Sequence, residues 1–198
     1  MTPEPPLPDL PSRELGAIVI GGSAGGIEAL RQLIPALPTD LGVPVFIVLH
    51  LGADSRGAWS AVFPHSAVTV REAEDKEVAA PGAVYLAPPD YHLLVDDRGI
   101  MALSIDEPVN LSRPAIDVLF ESAAWAYEDR LLGIVLSGAN ADGAKGLATI
   151  RQAGGRCWVQ SPATAAAATM PRAALAAVPD ARVLSLAQMA VALSACRR

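Results

Sequence analysis

The sequence predicts an α/β layer fold with a mostly parallel sheet. Continuous apolar, β-branched runs recur at 17–21, 43–49 and 131–136, as strands buried on both faces require. Segments with apolar residues at helical spacing lie between them. Glycine-rich turns join the two kinds of element, most densely at residues 21–26.

Taken in order, strand 17–21 runs into a helix from about Gly25, with Ile27, Leu30, Leu33, Ile34 and Leu37 on one face. Pro38 helps to end it. Residues 43–49 form the second buried strand, with His50 at its carboxyl end. A loop at 52–56, a short helical piece at 58–63 and a candidate strand at 68–71 follow. From Gly82 the texture changes. Apolar runs at 83–87, 92–95 and 100–103 are separated by Pro88-Pro89-Asp90 and Asp96-Asp97-Arg98-Gly99. Such turn chemistry predicts local antiparallel pairing, an excursion around residues 83–103. Residues 110–114 are a loop. Residues 115–127 form a helix with Ile116, Leu119, Phe120 and Ala123 on one face. Strand 131–136 ends in Ser137-Gly138, and Asp142-Gly143 opens a helix reaching Gly154-Gly155. A strand at 157–160 and helices at 171–178 and 186–195 complete the chain. Trp59, Trp125 and Trp158 are expected to pack rather than to line a ligand cage.

The 198 residues suffice for one sizeable core. One domain is expected over 14–198, behind a proline-rich flexible tail at 1–13. The start has no basic region and no apolar core, so it is no secretory signal. The longest apolar run, 43–51, is too short to span a bilayer, so no direct membrane insertion is expected. A net charge of −6 argues against nonspecific nucleic-acid binding. Cys157 and Cys196 lie far apart, as reduced thiols of a cytoplasmic protein would. With three histidines and no clustered cysteines, no metal site is expected.

Chemistry concentrates at Gly21-Gly22-Ser23-Ala24-Gly25-Gly26. This fits the G-x-S-x-G nucleophile elbow, a sharp strand-to-helix turn that exposes a serine beside free helix N–H groups. It also fits a degraded dinucleotide fingerprint with serine at the central glycine, or a tight turn with no chemistry. In an open parallel sheet, ligands sit outside the carboxyl ends of the strands. Ser23 follows the first strand, His50 ends the second, and Asp142 lies in the loop after 131–136. If those strands are neighbours, Ser23 can attack a carbonyl, His50 can move its proton and Asp142 can orient His50. The dinucleotide reading wants an acid at the end of the second strand, where His50 stands instead.

These blocks, with Glu72-Ala73-Glu74-Asp75, residues 81–92, residues 112–120, Leu136-Ser137-Gly138-Ala139-Asn140-Ala141-Asp142-Gly143 and residues 160–172, resemble the catalytic domain of the CheB-type chemotaxis protein-glutamate methylesterases. The resemblance runs from about Leu15 to Leu193. It implies a doubly wound sheet sandwiched by helices, with an antiparallel excursion. It implies a serine hydrolase, needing no cofactor, that demethylates glutamate methyl esters on chemoreceptors, releases methanol and can deamidate receptor glutamines. Its nucleophile, base and acid fall on Ser23, His50 and Asp142. Backbone N–H groups of Ala24, Gly25 and Ala139 are the expected oxyanion donors. Arg113 and His92 are expected to line a substrate groove.

Ala24 stands where the family usually has threonine, and Ala139 where it usually has methionine. The receiver domain common in the family is not expected in the proline-rich tail, which leaves room for a separate regulator in trans. The expected partner is a methylated chemoreceptor cytoplasmic domain or another methylated signalling protein. The competing expectations are a non-catalytic binding module that keeps this fold, and a dinucleotide-binding protein.

Overall fold

In the computed structural model the described residues are 15–50, 62–63 and 66–196. In chain order they form β1 (Ala17–Gly22), α1 (Gly26–Leu33), β2 (Val45–Leu49), β3 (Thr69–Glu72), β4 (Ala83–Leu86), β5 (His92–Val95) and β6 (Met101–Ser104). Then come α2 (Ile116–Tyr127), β7 (Leu131–Val135), α3 (Ala144–Gln152), β8 (Arg156–Gln160), α4 (Thr169–Ala177), β9 (Arg182–Leu184) and α5 (Leu186–Ser194).

Seven strands make one parallel sheet in the order β3-β4-β2-β1-β7-β8-β9, and β5 and β6 pair antiparallel beside it. The chain builds outward from β1 through β2, then returns to build outward on the other side from β7. The strand order therefore reverses between β1 and β7, and a crevice is expected outside the carboxyl ends there.

Alternate side chains along each strand feed opposite faces. Ile18, Ile20, Val45, Ile47, Leu132 and Ile134 pack with Leu30 and Leu33 of α1 and Met189 and Leu193 of α5. On the other face Val19, Phe46, Val48, Val135 and Val159 meet Leu119 and Phe120 of α2, Leu147 of α3 and Met170 of α4. Helices on both faces explain why the strands are apolar throughout rather than alternating. Each large side chain so buried contributes about 1.5–3 kcal/mol.

The expected excursion is smaller than the sequence predicts. Residues 83–86 belong to the main sheet, where β4 pairs parallel with β2 and with β3. All four are buried, and Tyr85 stacks on Phe46 with ring centroids 5.8 Å apart. Antiparallel pairing begins only at His92, whose partner is Ser104. Short β9 has no counterpart among the expected elements. Trp158 is buried as expected, but Trp125 is 81% exposed on the outer side of α2. Trp59 and most of the expected helical piece at 58–63 lie outside the described residues. Both cysteines are free and buried, and burial pushes the Cys157 thiol up to about 12. Among the described residues no helix is long and apolar enough to cross a membrane, and no cluster of potential metal ligands occurs.

Candidate active site

Ser23 follows β1 directly, and His50 follows β2 directly. The two strands are hydrogen-bonded neighbours, with Gly22 opposite Leu49. The ladder continues one step further, His50 N–H donating to the Gly22 carbonyl at 3.1 Å. Ser23 and His50 thus stand at adjacent strand ends, about 5 Å apart along the sheet. On the other side of β1, β7 leads into the loop that carries Asp142.

The turn after Ser23 is pinned by the neighbouring strand. Ser23 N–H donates to the Ser137 carbonyl at 2.9 Å, and the Ser137 hydroxyl donates to the Ala24 carbonyl at 2.6 Å. Ser137 N–H in turn donates to Gln160 Oε1 at 2.9 Å. Gly25, at φ 81°, adopts a left-handed conformation that a Cβ would strain. Among the described residues, the N–H groups of Ala24, Gly25 and Ala139 have no hydrogen-bond acceptor. Free N–H donors beside a serine hydroxyl are groups that an oxyanion would require.

His50 Nε2 lies 2.8 Å from Asp142 Oδ2, bringing together two residues 92 positions apart. Asp142 is fully buried. Its Oδ2 also accepts from Ile116 N–H at 2.6 Å, and its Oδ1 from Asp117 N–H at 3.1 Å. Those two N–H groups open α2, so the carboxylate caps a helix N-terminus. Close approach of α2 to β1 makes this possible. Gly21 faces Ile116 with no room for a Cβ. Burial alone would push the Asp142 pKa up. Hydrogen bonds from His50, Ile116, Asn110 and Asp117 overcome that and hold the carboxyl below its ordinary value.

The ionised carboxylate can only accept, so Nε2 of His50 carries the proton. The lone pair of a neutral imidazole then lies on Nδ1. Asn140 Nδ2 lies 3.4 Å from that nitrogen, and Asn140 Oδ1 accepts from Asp142 N–H at 3.2 Å.

The two residues expected to line a groove both make hydrogen bonds to the scaffold. His92 is 1% exposed. Its Nδ1 accepts from Ala115 N–H at 3.1 Å, and its Nε2 donates to the Glu107 carbonyl at 3.2 Å. Arg113 Nη1 donates to the Ile105 and Asp106 carbonyls at 2.9 and 3.1 Å. Both side chains brace the 105–113 loop, because its carbonyls have no strand partner to satisfy them.

Asn110 and Asp117 complete the surroundings of Asp142. Asn110 Nδ2 donates to Asp142 Oδ1 at 2.7 Å and to Asp117 Oδ2 at 2.8 Å. Asp117 Oδ1 accepts from Gly146 N–H at 2.7 Å. Burial raises the Asp117 pKa, hydrogen bonds from Gly146 and Asn110 offset this only in part, and the charge of Asp142 adds to the rise. The sequence marks Asp117 only as a first-turn acid of its helix. Nothing in it marks Asn110 or Asn140, whose partners lie far away along the chain.

The CheB methylesterase family matches residues 18–193. A Leptospira interrogans protein named putative protein-glutamate methylesterase/protein-glutamine glutaminase is 50% identical over 175 residues, which cover 88% of this chain and 91% of that one. A Symbiobacterium thermophilum protein named protein-glutamate methylesterase/protein-glutamine glutaminase is 42% identical over 156 residues, 78% of this chain and 43% of its own length. The crystal structure of the Thermotoga maritima CheB methylesterase catalytic domain superposes with a TM-score of 0.85 at 30% identity, covering 91% of this chain and 97% of that one.

Proposed function

Because this chain belongs to the CheB methylesterase family, we propose that it hydrolyses glutamate methyl esters on proteins through an acyl-enzyme at Ser23. The substrate is a methylated chemoreceptor, and the same site deamidates receptor glutamines. The observation that carries this reading is the 2.8 Å contact of His50 with Asp142, with His50 at the end of the strand next to the one that leads into Ser23.

The steps follow from the atoms. His50 Nδ1 takes the Ser23 hydroxyl proton as Oγ attacks the ester carbonyl. The N–H groups of Ala24, Gly25 and Ala139 hold the developing oxyanion. Collapse breaks the bond to the methoxy oxygen, which leaves as methanol with the proton from Nδ1. Water then attacks the acyl-enzyme, losing its proton to Nδ1. Release of Ser23 returns the hydroxyl and frees the glutamate. With glutamine the leaving group is ammonia. Asp142 stabilises the imidazolium formed in each half-reaction without taking its proton.

The test is methanol release from a methyl-esterified chemoreceptor cytoplasmic fragment, followed from pH 5 to 8. Release is expected, with kcat/KM falling towards low pH as the imidazole protonates and ceases to be a base. Asp142 is held below its ordinary pKa, so its own protonation does not set this limb. A flat profile would remove His50 as the base. Absence of methanol, with partner capture unaffected, would favour the binding-module alternative.

A further inference from the structure

The described site contains a buried carboxylate that the reaction does not use. Asp117 is 5% exposed and Asp142 is fully buried, and both face the same amide nitrogen. That nitrogen belongs to Asn110, an exposed loop residue at φ 52°. The other donors to Asp142, apart from His50, are backbone N–H groups of Ile116, Asp117 and Gly143. Asn110 is thus the side-chain donor that reaches the acid from the loop.

Building on the esterase reading, we propose that Asn110 is a positioning residue: its amide spans the two carboxylates, holds Asp142 in line with His50 Nε2, and moderates how strongly Asp142 attracts the imidazole proton. The physical case rests on donor number and charge. One NH2 group offers two N–H bonds, and here each goes to a different carboxylate. Each is a charge-assisted bond, stronger than one between neutral groups. Without the amide, Asp142 loses a donor while the Asp117 carboxyl remains beside it. Its negative charge is then less shared, and it holds the proton on Nε2 more tightly. The imidazolium gains, and the neutral base is reached only at higher pH.

The charged and titratable neighbours are few. His50 faces Asp142 from the end of β2, and Asp117 from the first turn of α2. Glu121 on α2 acts on Asp117, and Glu121 is paired to Lys145 of α3 at 2.9 Å. None of these can replace a donor at Oδ1.

Asn110→Gly is the informative variant, because glycine accepts the left-handed backbone that alanine would strain. Leu111→Gly is its control. Leu111 sits next to Asn110 at φ 61°, is fully exposed, and is not among the donors to Asp142. Two readouts apply: the pH titration of the His50 imidazole by 15N NMR, assigned with His50→Gln, and steady-state kinetics on the methylated fragment. For Asn110→Gly, the His50 midpoint and the acid limb of kcat/KM are expected to rise together by about one pH unit, the size of one charge-assisted hydrogen bond. kcat is expected to fall about 10- to 100-fold with little change in KM, as for a misplaced catalytic group. Leu111→Gly is expected to leave the titration unchanged. An unshifted His50 midpoint in Asn110→Gly, or an equal shift in Leu111→Gly, would overturn the proposal. The titration does not need turnover, so it tests Asn110 even if the esterase reading fails.

Discussion

Ser23→Ala is expected to lower kcat/KM for methyl-ester hydrolysis by about 10⁴- to 10⁶-fold. The substitution removes one oxygen and leaves the turn intact. Ser23 is held through its backbone, with N–H donating to the Ser137 carbonyl and C=O accepting from Gly26 N–H at 2.8 Å. Neither bond involves the hydroxyl, so stability is expected to change by less than about 1 kcal/mol. A folded protein that still binds the methylated fragment but releases no methanol is the expected result. Methanol release near the wild-type rate would mean that another group attacks the ester.

Asp142→Asn is expected to lower kcat about 10⁴-fold and to destabilise the fold as well. The geometry gives two separate reasons. Asp142 Oδ2 receives both His50 Nε2 and Ile116 N–H, and Oδ1 receives Asn110 together with the N–H groups of Asp117 and Gly143. An asparagine NH2 in either place points hydrogen at hydrogen. Placed at Oδ2, it also donates to Nε2 and drives the imidazole proton onto Nδ1, the nitrogen needed as base. Placed at Oδ1, it faces three donors at once. Each buried donor left without a partner costs about 1–3 kcal/mol. Denaturant unfolding and methanol release together check this. A variant of unchanged stability and turnover would show that the carboxylate is not required.

The linkage of Asp142 to stability has a definite sign. Its folded pKa is lowered, so its contribution is present above the ordinary carboxylate range and is lost as pH falls through the folded value. Asp117 has the opposite sign. Its folded pKa is raised, so its ionisation on going to neutral pH opposes folding. The pair therefore sets a balance at the start of α2 in which Asn110 takes part from both sides.

The parts of this architecture legible in the sequence were those with local signatures. The apolar runs 17–21 and 43–49 place Ser23 and His50 at carboxyl ends, and the parallel pairing of these strands puts those ends side by side. Asp142 was legible from the loop after β7, but its depth was not. Nothing in the sequence says that α2 begins within 2.6 Å of its carboxylate. Residues 83–86 misled because the turn residues after them signal a hairpin, whereas their partners are β2 and β3. Pairing between distant strands leaves no short-range trace. The exposure of Trp125 is legible in the sequence. Ile116, Leu119, Phe120 and Ala123 mark the buried stripe of α2, and Trp125 falls two residues past it, on the opposite side of a 3.6-residue period. The expected groove role of His92 and Arg113 says nothing of their bonds to the scaffold. Their partners are loop carbonyls, which a sequence does not display.

The central claim is that His50 and Asp142 make Ser23 a nucleophile. It is tested most directly by reacting the protein with a fluorophosphonate and mapping the adduct by peptide mass spectrometry. A single adduct on Ser23 is expected, forming rapidly in the wild type and lost on this timescale in His50→Ala and Asp142→Asn. An adduct on another residue, or one on Ser23 that forms equally fast in both variants, would contradict the account.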